Sequence, residues 1–255
     1  MNPTFSVIIP VLGEENRVNA LIDHVRVVGY GVNPEIVAAD GAADRGTLAA
    51  IDRPGVTAVP AKRGRGGQLN AGALAARGEV FVFLHADSRL PAGAFQAMTD
   101  AVLAGAAAGA FRLGIRSPKL RYRLIEAGAA LRSALTRIPY GDQAQFVRRD
   151  VFEAVGGFPE IPIMEDVELM RRIKRACGRS RIALLPERVS SSARRWETEG
   201  AFFCTARNQF LLLSHLLGAS AESLARHYPP FSKGRAERGA ESRAEDQARD
   251  EDGRA

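Results

Sequence analysis

Phe5-Ser-Val-Ile-Ile-Pro-Val11 is a short, almost uninterrupted apolar run. A run of this length reads as a strand buried on both faces, as a parallel sheet requires. After it, Val18, Leu21, Ile22 and Val25 recur at helical spacing within residues 14–28. Glu35-Ile-Val-Ala-Ala-Asp40 reads as a second strand, residues 56–61 as a third and Val80-Phe-Val-Phe-Leu84 as a fourth. Two stretches rich in Ala and Leu, 47–51 and 67–77, lie between them. Strand and helix alternate, which predicts βαβ units and an α/β fold built on a parallel sheet.

Beyond residue 94 the pattern changes. The spacing predicts a helix over 94–103, a strand over 110–115 and a helix from 119 to about 135. A strand over 144–148, a helix over 165–177, a strand over 181–185 and an amphipathic stretch over 201–217 follow. Residues 1–232 are therefore expected to form one domain: a half of about residues 1–90 built from the βαβ units, and an α+β half of about 91–232. From residue 233 the chain is charged and nearly free of apolar residues, as expected of a disordered, solvated tail.

Composition narrows the function classes. With 46% hydrophobic and 25% charged residues the chain is ordinary globular material. Cys177 and Cys204 stand in no ligand spacing, against a disulfide scaffold or structural zinc and in keeping with a reducing compartment. The N-terminus has no basic region before its short apolar run, and the uncharged stretch 208–221 is shorter than a membrane span, so a cytoplasmic protein is expected. The net charge is +6, with the excess in residues 1–232. Its partner is then an anion: nucleic acid, anionic lipid or a phosphorylated small molecule. No nucleic-acid module or basic stripe interleaved with aromatics is present, and no nucleic-acid partner is expected.

In an open parallel sheet, ligands bind beyond the carboxyl ends of the strands. The first strand runs into Pro10-Val-Leu-Gly-Glu14-Glu, the second into Asp40-Gly-Ala-Ala-Asp44, the third into Lys62-Arg63-Gly-Arg-Gly-Gly67 and the fourth into His85-Ala86-Asp87. Carboxylates and a basic glycine-rich loop thus gather on one edge, as a metal-bridged diphosphate requires. Each piece also has a plainer reading. Asp40 can cap a turn and Asp44 a helix, and the basic loop can be solvated rather than an anion nest. Asp87 suits a hard cation completed by phosphate oxygens and water, or a simple turn. Glu165 and Asp166 open a helix, where acids favour the dipole and where a carboxylate can also act as general base. Trp196 beside Arg195 is either a core residue or a phosphate or acceptor contact.

The ordered set Pro10-x-x-Gly-Glu14-Glu-Asn, Ile-Val-Ala-Ala-Asp40-Gly-x-x-Asp44-x-Gly-Thr and Arg77-Gly-Glu-Val-Phe-Val-Phe-Leu-His85-Ala-Asp87 resembles the nucleotide-binding half of family 2 glycosyltransferases. Gly141-Asp142-Gln143 through Gly-Gly-Phe158, followed by Glu165-Asp166, is similar to their acceptor half. The likeness covers about residues 5–200. It implies the GT-A fold, a Rossmann-like, mostly parallel sheet flanked by helices. It also implies inverting hexosyl transfer from a nucleotide sugar, a UDP-sugar being expected, to a small-molecule, lipid or carotenoid acceptor.

By the resemblance, Pro10, Glu14, Asp40, Asp44, Arg63, Gln68, Asn70 and Ala86 would line the nucleotide-sugar site. Asp87 and His85 would take Mn²⁺ or Mg²⁺, and Asp166 with Glu165 would be catalytic. Asp142, Gln143, Arg195 and Trp196 would serve the acceptor or diphosphate. His85 stands where the usual DxD motif has Asp, Gly13 where Asn is usual, and Ser192 where the QxxRW motif of processive members has Gln. The His-Ala-Asp variant resembles a short, soluble bacterial subgroup that includes arsenosugar-biosynthesis and carotenoid-acid glycosyltransferases.

Two other readings stay open. A sugar nucleotidyltransferase shares a similar sheet, although its basic glycine-rich loop usually follows the first strand. A non-catalytic nucleotide-sugar binding protein would use Asp166 only to support its helix. The apolar stretch 210–217 with the basic body is also expected to allow peripheral contact with an anionic membrane, at the inner face of the cell membrane.

Overall fold

The computed structural model describes residues 2–228. The expectation of a disordered tail over 233–255 lies outside them. The chain divides into two compact units, one ending at Ser191 and the other beginning at Ser192.

The first unit alternates as the sequence implies: β1 (Phe5–Val11), α1 (Val18–Val28), β2 (Glu35–Asp40), α2 (Gly46–Ala49), β3 (Val56–Pro60), α3 (Arg65–Ala75) and β4 (Val80–Phe83). It continues with α4 (Ala94–Leu103), β5 (Ala108–Arg116), α5 (Leu120–Thr136), a 3-10 turn Gly141–Gln143, β6 (Phe146–Arg148), α6 (Arg149–Ala154), α7 (Glu165–Cys177) and β7 (Ile182–Ser192). The seven-stranded sheet has the order β3-β2-β1-β4-β6-β5-β7. The pairs β1–β2, β1–β4 and β2–β3 are parallel, and β6 enters antiparallel between β4 and β5.

Both faces of the sheet are covered, which is why its strands read as apolar runs rather than alternations. In β4 and the residue after it, Val80, Val82 and Leu84 join the core under α1 and α4, with Val7, Ile9, Leu21, Ile22, Phe95 and Met98. Phe81 and Phe83 turn to the other face and meet Phe152 and Phe158 in an aromatic cluster. On that face α3 lies close to the sheet at Gly72, where an added Cβ would stand 2.5 Å from Ile8.

Besides the short α6, which the sequence reading does not mark, three elements of this unit differ from that reading. The α1 helix starts at Val18 rather than near Glu14, because residues 14–17 form a turn whose Glu14 amide donates to Thr47 Oγ1 at 2.9 Å. The last strand runs on to Ser192, past the apolar run that marked its start, and bridges to Arg89 at Ser190. The antiparallel entry of β6 is a matter of chain direction, which hydrophobic period does not encode.

The second unit holds α8 (Arg194–Glu199), α9 (Ala201–Leu216) and α10 (Ala221–Ala225). The α9 helix packs against α8 and α10. It buries Cys204, Leu211 and Leu212 and exposes Phe202, Phe210 and Leu213, with Leu217 exposed just after it.

Candidate active site

Beyond the carboxyl ends of β1, β2 and β3 lies a cavity of about 620 Å³, lined by Leu12, Gly41 to Arg45 and Ala61 to Arg63. Its lining comes from the loops after three neighbouring parallel strands, the place where such a sheet offers backbone ends and loop groups to a ligand. Asp44 and Arg63 stand exposed on the wall. Asp44 Oδ1 accepts from the Gly46 amide at 3.3 Å.

Asp40, the last residue of β2, is 0% exposed. Its Oδ1 accepts from the Ala42 amide at 2.8 Å and so shapes the turn that opens the cavity wall. Its Oδ2 is buried with no hydrogen-bond partner. A buried carboxylate oxygen without a donor is costly, and a ligand N–H or O–H would relieve it.

Gln68 and Asn70 sit on α3 behind this cavity, and their amides go to the main chain. Gln68 Nε2 donates to Val11 O at 2.8 Å and Ala39 O at 3.0 Å, tying the ends of β1 and β2. Asn70 clasps Phe158 through both its amide groups. Pro10 lies within β1 opposite Ala39, so it acts on the site through the backbone. Glu14 is turned to Arg17.

A second group of residues gathers past β4, the strand beside β1. His85-Ala86-Asp87 leaves the strand in a turn closed by the Ser88 amide on His85 O at 3.0 Å. Ala86 packs on the core, and Asp87 is exposed. Gly141 brings two of the other candidates together: a Cβ there would lie 3.0 Å from His85 Nε2 and 3.2 Å from Asp166 Oδ2. The Gly141 amide donates to Asp166 Oδ2 at 2.6 Å, and Asp166 Oδ1 accepts from the Val167 amide. Two backbone donors fix the orientation of this half-buried carboxylate while each oxygen keeps a further lone pair.

The electrostatics are those of an enclosed acidic corner. Burial, with the positive charge of Arg65 nearby, holds His85 down to about 3, so its imidazole is neutral. Burial pushes Asp142 up to about 6, with Asp166 and Asp87 adding repulsion and Arg132 opposing it. Asp142 Oδ1 is buried without a partner. Burial also raises Glu165, which is 2% exposed and faces Arg65 at 3.2 Å. Of the two acids that open α7, Asp166 therefore looks to the His85–Gly141 corner and Glu165 to the start of α3.

The donor set suits a hard divalent cation. Asp87 is open, His85 is neutral, and Asp142 presents an unsatisfied buried oxygen. Among the described residues no three His, Cys, Asp or Glu side chains group as a metal cage. A cation here would therefore rest on one or two protein ligands, with diphosphate oxygens completing its shell.

Gln143 and Arg195 are differently placed. Gln143 Oε1 takes three donors, Arg132, Ser133 and the Tyr140 amide, and its Nε2 donates to Phe111 O at 2.9 Å. It braces the loop rather than facing solvent. Arg195 and Trp196 belong to α8 in the second unit, where Arg195 pairs with Glu199 and stacks on Tyr228. Sequence reasoning missed the Arg65–Glu165 pair and Arg132, whose guanidinium lies 3.2 Å from the Tyr140 ring centroid. Arg65 was visible in the basic loop, but its partner is a hundred residues away; Arg132 stands in no motif.

Residues 6–158 match the family model described as glycosyl transferase family 2. No curated protein matches the sequence at a significant level. Among solved structures, the chain is similar to the mannosyltransferase PcManGT from Pyrobaculum calidifontis in complex with GDP-Man and Mn²⁺. Identity is 20% with a TM-score of 0.64, over 96% of this chain and 76% of that one. Glucosyl-3-phosphoglycerate synthase from Mycobacterium tuberculosis, with Mn²⁺, UDP and glucosyl-3-phosphoglycerate, is 18% identical at a TM-score of 0.58, over 84% and 79%. S. aureus TarS 1-349 is 16% identical at a TM-score of 0.57, over 77% of this chain. The chain spans 62% of that TarS fragment. At these identities the likeness establishes the fold, a GT-A-like mostly parallel sheet flanked by helices.

Proposed function

The chain belongs to glycosyl transferase family 2, and from its site we propose that it is an inverting hexosyltransferase using a nucleotide-diphosphate sugar. The observation that carries this reading is Asp40 Oδ2, a fully buried acceptor without a donor, in the residue that leads into the Gly41–Arg45 wall of the 620 Å³ cavity. The N3–H of uracil would supply the donor that atom lacks, as would the N1–H of guanine, and of the two we propose a UDP-sugar donor. PcManGT, solved with GDP-Man, is a related fold that takes another base.

In the proposed reaction Asp166 takes the proton of an acceptor hydroxyl. The freed oxygen attacks the anomeric carbon from the face opposite the diphosphate. The bond from that carbon to the diphosphate oxygen breaks, and the nucleoside diphosphate leaves with the electron pair. Mn²⁺ or Mg²⁺ held by Asp87 and His85 would offset the charge gathering on the diphosphate. Lys62 and Arg63, on the cavity wall, supply positive charge on the same side. Glu165 acts as a positioning residue, holding Arg65 at the start of α3.

We assign the chain to the short subgroup with His-Ala-Asp in place of DxD. The acceptor is a small molecule or a lipid. A lipid acceptor agrees with the exposed Phe210 and Leu213 of α9, through which a cytoplasmic enzyme would rest on a membrane. Among the described residues no helix is long and apolar enough to cross one.

Calorimetric titration with nucleoside diphosphates and nucleotide sugars, with Mn²⁺ and with EDTA, tests the proposal. Metal-dependent binding of one diphosphate, lost in Asp87→Ala, is the expected result. Pyrophosphate release from a nucleoside triphosphate and a sugar phosphate would replace the reading with nucleotidyl transfer. Donor binding with neither hydrolysis nor transfer would reduce the protein to a binding module.

A further inference from the structure

The α5 helix has two unlike faces. One buries Tyr122, Glu126 and Ser133, and braces the acceptor-side loop through the Ser133 and Arg132 bonds to Gln143. The other carries Leu120, Leu124, Leu131 and Leu135, which are 82%, 77%, 61% and 67% exposed. Spacings of four, seven and four residues place all four on one stripe of the helix, with exposed Ala127 between them. The stripe is about 22 Å long at the helical rise of about 1.5 Å per residue. Soluble surfaces rarely leave a continuous apolar band of this kind without a use for it.

The charges beside the stripe decide what covers it. Lys119, Arg121 and Arg123 are exposed along α5 and its start. The one acidic residue of the helix, Glu126, is buried and taken up by the Ile115 amide, Arg123 and Arg188. A second copy of this chain meeting the stripe by its own stripe would give these cations no counter-charge. Parallel helices set cation against cation, and antiparallel ones set the cations beside the Leu131 to Leu135 end, which carries no acidic residue. Anionic headgroups meet the same cations with opposite charge, while the leucines enter the acyl boundary.

We propose that the leucine stripe of α5 is a docking face for an anionic lipid surface, lying in the interface with Lys119 and Arg121 at headgroup level. This face belongs to the first unit and is distinct from the apolar stretch of α9. It does not rest on the donor or acceptor reading, since docking needs no sugar transfer.

Co-sedimentation of the full chain with vesicles tests it without any donor present. Vesicles of equal parts phosphatidylglycerol and phosphatidylcholine should bind the protein, and pure phosphatidylcholine should bind it far less. High salt should weaken the binding. Leu124→Ser with Leu131→Ser should lower the partition coefficient by about tenfold or more, as expected when two leucines no longer leave water. Lys119→Glu with Arg121→Glu should weaken binding to the anionic vesicles alone. All four positions are exposed, and an unchanged thermal midpoint with unchanged nucleotide binding shows that the variants are folded. Equal binding by wild type and the Leu124/Leu131 variant overturns the proposal. So does binding lost only with Phe210→Ser and Leu213→Ser, which would place the contact on α9. No binding by the wild type, with a dimer in light scattering that the leucine substitutions dissolve, overturns it in favour of a protein interface.

Discussion

The Gly141 amide donates to Asp166 Oδ2 at 2.6 Å, and this bond joins the turn before β6 to the first turn of α7. It aims the carboxylate at the corner where His85 stands, and it sets the expectations for both residues.

Asp166→Asn keeps the shape and removes the proposed base. Transfer should fall by about a hundredfold to ten thousandfold, the usual worth of a positioned proton acceptor. Affinity for the nucleotide diphosphate should stay within about twofold, because the cavity proposed to hold it lies beyond β1 to β3. Turnover alongside calorimetry separates the two, and undiminished turnover removes Asp166 from the mechanism.

Gly141→Ala adds a Cβ at 3.0 Å from His85 Nε2 and 3.2 Å from Asp166 Oδ2, closer than ordinary contact. Both side chains must give way by a few tenths of an ångström. The expected outcome is a kcat reduced by about ten- to a hundredfold, as small misplacements of reacting groups produce, with donor affinity preserved. A normal kcat would mean that the corner is not where the proton is moved.

Asp40→Asn places either an amide donor or a carbonyl oxygen where Oδ2 stands. The turn at Ala42 survives with the oxygen facing its amide, and the NH₂ then meets any ligand N–H as like against like. Loss of the charged acceptor should weaken the nucleotide by about 1.5–3 kcal/mol, about tenfold to more than a hundredfold. Calorimetry with the matching nucleoside diphosphate reads it directly. Equal affinity would detach Asp40 from base recognition.

Burial raises the Glu165 carboxyl, with Arg65 opposing the shift. A folded value above the unfolded one means that stability linked to this group is full below the unfolded value and is lost as pH rises through the folded one. Thermal unfolding from pH 4 to 8 should therefore show the wild type losing stability relative to Glu165→Gln as pH rises. A difference that stays flat would mean that Arg65 offsets the burial completely.

Much of the half built on β1 to β4 is legible in the sequence, since buried parallel strands need apolar runs and loops after them need polar ends. Asp40 ends β2, and Asp44, Arg63 and Asp87 follow β2, β3 and β4 as the order of elements implies. Less legible is the division of labour among neighbours. Gln68 and Asn70 spend their amides on the backbone, and Glu165 turns to Arg65 while the adjacent Asp166 turns to Gly141. Successive helical residues point about 100° apart, and only the packing of α7 beside α3 settles which of them meets the site.

The sequence by itself determined the alternating strands and helices up to residue 103, the fold class and the edge on which the candidate residues gather, because hydrophobic period and strand-end loops are local properties. The tertiary structure decided the antiparallel entry of β6, the unpaired oxygen of Asp40, the His85–Gly141–Asp166 corner and the exposed leucines of α5. Each depends on groups far apart in the chain, on which atoms are buried and on which are left without partners, and no local pattern carries that information.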